Sequence, residues 1–248
     1  MIKALIPVRA GSQRVKNKNI RPFAGSNLLE IKVKQMLSIK ELDGVIVNSD
    51  SDEMLDIAKS IGADVFKREA YYASSEVSAN DLYRNIAETT DADLILYTHV
   101  TNPLLKTETI RSIINKYKEL NREYDSVSTV SPVKEFLWRD GKPINYDVNN
   151  KPRSQDLPEI YSLNHAINLV PRRLMYERKD LMGYKPYFYI LDDIEAIDID
   201  NELDFEFAEF LYKKAHNSQI SSNPVITIPQ GGGGLRKSFS SKDFRRAA

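Results

Sequence analysis

Apolar positions along this chain follow two rhythms. Short, nearly unbroken runs occur at Ile2–Val8 (interrupted by Lys3), Gly44–Asn48, Ala63–Phe66, Asp93–Tyr97 and Asp125–Val130. Between them lie stretches in which apolar residues return every three or four positions, as Leu28, Ile31, Met36 and Ile39 do. A short apolar run bounded by turn formers marks a strand buried on both faces, and the wider spacing marks one face of a helix. The pattern therefore predicts strands at those runs and helices at Asn27–Ile39, Ser51–Ile61, Ala79–Glu88 and Thr107–Glu119, with Ser51 or Asp52 capping the second. Repeated strand–helix units dictate an α/β fold with a mainly parallel sheet and helices on both faces. Ligands in such sheets bind at the carboxyl ends of the strands.

The rhythm breaks between Pro132 and Pro158, where Pro143, Pro152, Gly141 and Asn149-Asn150 also fall. A hairpin or lobe inserted at about residues 132–160 is expected there. Strand-like runs return at Ala166–Val170, Tyr187–Ile190 and Ile194–Ile199, followed by an amphipathic helix over Asp200–Lys214 carrying Phe205, Phe207, Phe210 and Leu211. From residue 217 the composition shifts to Gly231–Gly234 and a basic, Ser-rich end. The expectation is one domain over residues 1–216 and a flexible low-complexity tail over 217–248.

Composition narrows the function. Lys and Arg number 35, as do Asp and Glu, so the net charge is zero and no basic excess points to nucleic acid. The absence of cysteine excludes disulfides, thiolate catalysis and Cys-ligated zinc. No apolar run approaches the ~20 residues of a membrane span, and the first residues read as a strand rather than a leader, so a cytoplasmic protein is expected.

Two motifs bear chemistry. The loop after the first strand, Arg9-Ala10-Gly11-Ser12-Gln13-Arg14-Val15-Lys16-Asn17-Lys18-Asn19, combines glycine, serine and cations with little apolar content. Exposed N–H groups beside Arg and Lys suit a triphosphate, and the composition equally suits a solvated basic loop. It is neither a P-loop nor a dinucleotide-binding G-x-G-x-x-G. Near the end of the domain, Asp198 and Asp200 alternate along the expected strand and so face one side. Paired carboxylates of this kind suit Mg²⁺, which keeps waters and phosphates among its ligands; the alternative is that Asp200 or Asn201 caps the following helix. A third segment, Lys151–Pro158 with Tyr161 and Asn164, is on its own an ordinary polar loop.

Together these segments resemble the acylneuraminate cytidylyltransferase family, the CMP-sialic acid synthetases and their Kdo-activating relatives. IPVRAGSQRVKNKN resembles the family's A-R-x-G-S…K-N loop, Asn48-Ser49-Asp50 its S-T-D, and YYASSEVSAND its L-A-x-D…S segment. Thr101-Asn102-Pro103-Leu104 resembles T-S-P-L, PRSQDLPEIYSLNHAI resembles P-R-Q-x-L-P…N-G-A-I, and IDIDNELDF resembles S-I-D-I-D-x-x-x-D. The similarity covers about Ile2 to Lys214.

The resemblance implies a Rossmann-like sheet of the nucleotide-diphospho-sugar transferase type, with the 132–160 insertion as a dimerisation lobe and a homodimer as the assembly. It implies transfer of CMP from CTP to the anomeric hydroxyl of an acidic 2-keto-3-deoxy sugar, with Mg²⁺ as cofactor. Arg9, Lys18, Asp198 and Asp200 would be catalytic, and the two aspartates would hold the metal. Arg9, Ala10, Gly11, Ser12, Arg14, Lys18, Asn19, Asp50, Ser78 and His99 would line the nucleotide site. Thr101, Asn102, Arg153, Gln155, Tyr161 and Asn164 would meet the sugar. The chain departs from the pattern at His99 and Val100, where the family has Gln-Pro, at Ser162 in place of an Arg facing the sugar acid, and at His165 in place of Gly. That contact is then missing unless Arg153 or Arg172 takes it over. A nucleotidyltransferase for a different acidic or phosphorylated acceptor, or a catalytically weak nucleotide- or sugar-binding relative, stays compatible with these departures.

Overall fold

The computed structural model describes residues 1–120 and 123–221. The first strand, β1 (Ile2–Pro7), leads through a short ribbon, β2 (Pro22–Phe23) and β3 (Ser26–Asn27), into α1 (Leu28–Leu37). Then come β4 (Gly44–Ser49), α2 (Asp52–Ser60), β5 (Asp64–Lys67), the single turn α3 (Ala70–Ala73) and α4 (Ala79–Thr89). The second half runs β6 (Leu94–Tyr97), α5 (Thr107–Glu119), β7 (Ser126–Pro132), β8 (Trp138–Arg139), β9 (Lys142–Pro143), β10 (Tyr161–Pro171), α6 (Arg172–Arg178), β11 (Pro186–Ile190) and α7 (Glu202–Ser221).

Seven strands form one sheet in the order β11-β7-β10-β6-β1-β4-β5. All neighbours are parallel except β10, which runs antiparallel to both β6 and β7. One face is covered by α1, α2 and α5 through Val33, Met36, Leu55, Ala58, Ile110 and Ile113. The other carries a smaller core of Leu5, Ile86, Tyr97, Val170, Met175 and Leu181, formed with α4 and α6. The chain moves outward from β1 to β4 and β5, then returns to place β6 on the other side of β1. That reversal opens a crevice between the carboxyl ends of β1 and β6, the place where such sheets take ligands.

The helix starts obey local chemistry. Asn27, Ser51 and Ser78 each accept a hydrogen bond from the third residue beyond, capping α1, α2 and α4. The inserted segment holds its own ribbon, β8 with β9, turned by Asp140 and Gly141 at φ of 51° and 74°. Phe136, Trp138 and Tyr146 pack edge-on within it, and the Lys151 ammonium lies 4.2 Å above the Phe136 ring.

Two expectations need correction. Ile194–Ile199 is not a strand, because the Asp192 carboxylate accepts from the Ile194 and Glu195 N–H groups at 3.0 and 2.9 Å and winds the chain into a turn. The two aspartates nonetheless stay exposed on either side of the fully buried Ile199. In addition, α7 runs on to Ser221, past the boundary set at residue 216; the rest of the expected tail lies outside the described residues.

Candidate active site

Loops leaving β1, β5 and β6 meet around a cleft of about 520 Å³. Arg9, Ser12, Gln13, Arg14, Lys18 and Asn19 come from the first loop, Arg68 from the second, and His99, Val100 and Thr101 from the third. Leu82 and Tyr97 floor the cleft and Asp200 closes one side. The first loop is pinned at both ends: the Ala10 N–H donates to the Asp50 carboxylate at 3.0 Å, and the Asn19 amide donates to the Arg9 carbonyl at 3.2 Å. Gly11 turns it at φ +75°, a conformation that costs glycine little.

Opposite charges face each other across the cleft. Arg14 pairs with Asp200 at 2.7 Å, and the Lys18 ammonium donates to the Ile199 carbonyl at 2.5 Å, between the two aspartates. Partial burial lowers the Lys18 pKa, an effect opposed by Asp198 and Asp200. The Asp198 carboxyl is held above the ordinary carboxylate range. Desolvation within the cleft is the main cause, with the like charges of Asp200 and Asp204 adding to it, while a hydrogen bond with Thr101 and the charge of Lys18 act the other way.

A turn of the chain holds this acidic segment from behind. The Asn102 amide donates to the Ile197 carbonyl at 3.1 Å, and the Ile199 N–H donates to the Thr101 carbonyl at 2.9 Å. Further back, the buried Glu195 carboxylate accepts from the Lys106 ammonium at 2.8 Å and the Thr109 hydroxyl at 3.0 Å.

The expected residues divide. Arg9, Ser12, Arg14, Lys18, Asn19, His99, Thr101 and Asp200 line the cleft, and Asp198 adjoins it through Thr101. Ala10, Gly11 and Asp50 shape the loop. Ser78 spends its hydroxyl on capping α4, bonding Asp81 at 2.8 Å. Asn102 is fully buried, so it supports the site from beneath and cannot touch a sugar. Arg153 pairs with Asp156 at 2.7 Å on the lobe beside the exposed Gln155, Tyr161 bonds Glu159 at 3.2 Å, and Asn164 bonds Ser131 at 3.0 Å; none of these four lines the cleft. Arg172, weighed as a substitute cation, donates instead to the Ala87 carbonyl at 3.4 Å.

Arg68 was missed by sequence reasoning. It is 4% exposed, yet its guanidinium borders the cleft and donates to the Asn48 side chain and carbonyl at 2.5 and 2.8 Å. Burial lowers its pKa, countered by Tyr97 and Asp50, but an Arg so strongly basic stays charged. The available signal was its place immediately after a strand, within two residues of the sheet's carboxyl edge. His99 is the reverse case: burial pushes its pKa down to about 4, so the ring stays neutral above that pH.

A cytidylyltransferase family model matches residues 3–222. The chain belongs to this family. It is accordingly a nucleotidyltransferase. The chain is 26% identical to the post-translational flagellin modification protein B of Campylobacter coli, over 86% of this chain and 95% of that protein. It is 27% identical to a pseudaminic acid cytidylyltransferase of Campylobacter jejuni, over 86% of this chain and 97% of that one. Among solved structures, a CMP:2-keto-3-deoxy-manno-octonic acid synthetase complexed with CTP matches with a TM-score of 0.64 at 11% identity, covering 86% of this chain and 99% of its own. A 4-diphosphocytidyl-2C-methyl-D-erythritol synthase from Anaerococcus prevotii matches equally well, with a TM-score of 0.64 at 18% identity over 86% and 98% of the two chains. These likenesses show that the cytidylyltransferase fold is shared.

Proposed function

We propose that this enzyme transfers CMP from CTP to the anomeric hydroxyl of an acidic 2-keto-3-deoxy sugar of the nonulosonate class, releasing pyrophosphate. The observation that carries the reading is the opposition of Arg9, Arg14, Lys18 and Arg68 to Asp198 and Asp200 around one cleft. The hydroxyl oxygen forms a bond to the α-phosphorus as the bond to the pyrophosphate oxygen breaks. Such transfers depend on positioning and charge stabilisation more than on a strong base. Arg9, Arg14 and Lys18 balance the charge that gathers on the departing pyrophosphate.

Asp198 and Asp200 would hold Mg²⁺. Among the described residues no group of three or more acidic, His or Cys side chains could hold a metal. Two carboxylates fit an ion that takes its remaining ligands from water and phosphate. When bound, the metal would neutralise phosphate charge and fix the phosphates for in-line displacement. Arg14 would then exchange its partner Asp200 for a phosphate oxygen, a change its exposed position permits.

The acceptor reading draws on the relatives, whose names include pseudaminic, N-acylneuraminate and legionaminic acid enzymes. Ser162 is exposed on β10 and His165 sits at its bulge with φ 53°, so the acceptor end lacks a family-like Arg. A modified nonulosonate is favoured over N-acetylneuraminate. The same reading includes a homodimer, since Phe188, Ile190 and Trp138 are exposed on the edge strand and the lobe, and cytoplasmic work, where CTP is supplied. No helix among the described residues is long and apolar enough to cross a membrane.

The test is pyrophosphate release from CTP with a panel of N-acetylneuraminate, Kdo, pseudaminate and legionaminate. Release with a nonulosonate supports the proposal. A protein that binds CTP but releases no pyrophosphate with any of them defeats it.

A further inference from the structure

A charged side chain buried without a counter-charge is costly, and proteins keep one where it does something an apolar residue cannot. Lys32, on α1, is 0% exposed. Its ammonium donates to the Asn102 carbonyl at 3.0 Å and to the Gln35 side chain at 3.1 Å, neither of which carries a charge. Burial alone lowers its pKa to about 7. Gln35 reaches the same loop, donating to the Leu105 carbonyl at 2.6 Å. Thus α1 grips both ends of the segment from Asn102 to Leu105.

That segment grips the acidic strip in turn. Asn102, fully buried itself, donates through Nδ2 to the Ile197 carbonyl at 3.1 Å, and its Oδ1 is left without a partner. Its neighbour Thr101 takes the Ile199 N–H at 2.9 Å through its carbonyl and bonds the Asp198 carboxylate through its side chain. The contacts form one line: Lys32, Asn102 with Thr101, then Ile197 and Ile199 on either side of Asp198.

We propose that Lys32 is a positioning residue which, through the Asn102 carbonyl, fixes the backbone on both sides of Asp198 and so sets where that carboxylate meets the metal–nucleotide. The inference rests on the reading above that Asp198 holds the metal. Supporting contacts of this kind commonly change metal affinity or activity by ~10–100-fold when lost.

The experiment compares wild type, Lys32→Met, Asp198→Asn and the double variant carrying both changes, as full-length enzyme. Lys32→Met keeps length and removes the donor; it takes away a buried charge without a counter-charge but leaves the Asn102 carbonyl and Gln35 Oε1 without that donor. Three quantities are measured: amide hydrogen exchange at Ile199, Mn²⁺ affinity in the presence of CTP by electron paramagnetic resonance, and CTP affinity without divalent metal. In Lys32→Met, Ile199 exchange should rise at least ~10-fold and Mn²⁺ affinity should fall ~10-fold, while metal-free CTP affinity stays within about twofold. In the double variant the Mn²⁺ loss should not exceed that of Asp198→Asn alone. A folded Lys32→Met with wild-type Ile199 exchange and Mn²⁺ affinity overturns the proposal. A wild-type Mn²⁺ affinity in Asp198→Asn, with raised Ile199 exchange in Lys32→Met, overturns the metal reading instead. If Lys32→Met does not fold, Lys32→Leu, which also lacks a donor, takes its place, and the same exchange and Mn²⁺ results support or overturn the proposal.

Discussion

Replacing Asp198 by Asn tests the metal reading with little disturbance of shape. The site balances two carboxylates, Asp198 and Asp200, against Lys18 and Arg14, and Arg14 already pairs with Asp200 at 2.7 Å. Neutralising Asp198 leaves Asp200, compensated by its arginine, and weakens the opposition to the Lys18 ammonium, on which Asp200 and Asp204 still act. A divalent cation is then held less strongly. A loss of ~100-fold in turnover at fixed Mg²⁺ is expected, equivalent to ~2.7 kcal/mol of transition-state stabilisation. The fold should survive, since the amide can keep the bond to Thr101. Stability has a sign of its own. The folded carboxyl pKa is raised above 3.8, so the ionised form is penalised in the folded state. That penalty is fully present above the raised folded value and disappears below 3.8. Asp198→Asn should therefore melt at or above the wild-type temperature at neutral pH, with any gain vanishing as the pH falls below about 4. Pyrophosphate release titrated with Mg²⁺ and thermal melts across pH measure the two effects. Wild-type turnover at limiting Mg²⁺ would refute the assignment, and a large drop in melting temperature at pH 7 would refute the account of the raised pKa.

Three further outcomes are expected. CTP should raise the melting temperature more than equal concentrations of ATP or GTP, by mass action on the folded state, and identical shifts would remove base selectivity from the reading. Arg68→Met should lose most of that CTP-induced shift and also melt lower without ligand. It strands the buried Asn48 acceptors at a cost of ~1–3 kcal/mol, or roughly 2–12 °C in a chain of this size; an unchanged CTP shift would take Arg68 out of the nucleotide site. His99, with its pKa lowered to about 4, adds stability that is complete above its usual value of 6.5 and lost as pH falls toward 4. His99→Gln should flatten that slope, and a ring proton resonance of wild-type His99 titrating near pH 6.5 would contradict the burial argument.

The sheet could be read from the sequence because strands such as Leu94–Tyr97 are buried along their whole length and so apolar without interruption. Helix starts were readable because a cap is one side chain acting on its own helix, as Ser51 does for α2. That the basic loop and Asp200 carry polar chemistry was legible because their charged residues are each concentrated in one segment, and the structure brings them to one cleft. What escaped depends on partners distant in the chain. Arg68 meets Asn48 across 20 residues, and Lys32 meets Asn102 across 70. In sequence each is one more surface-like cation. The turn at Asp192 was misread as a strand because an apolar–polar alternation carries no sign of a carboxylate turning back on its own backbone.

The acceptor end was the least readable part, for a related reason. Arg153 was chosen because a guanidinium suits a sugar acid, but here it is exposed and held by Asp156 one helical turn away. An exposed pair of this kind is worth only about 0–1 kcal/mol, so a carboxylate ligand could replace Asp156 at little cost. Doing so at the cleft requires Arg153 and the lobe that carries it to approach a site it does not line in one chain. A second copy bringing its lobe over the cleft would satisfy that requirement without bending the lobe. The homodimer and the acceptor reading are therefore linked. If the protein sediments as a monomer at assay concentrations and still uses a nonulosonate with undiminished kcat/KM after Arg153→Ala, the lobe has no part in binding the sugar acid.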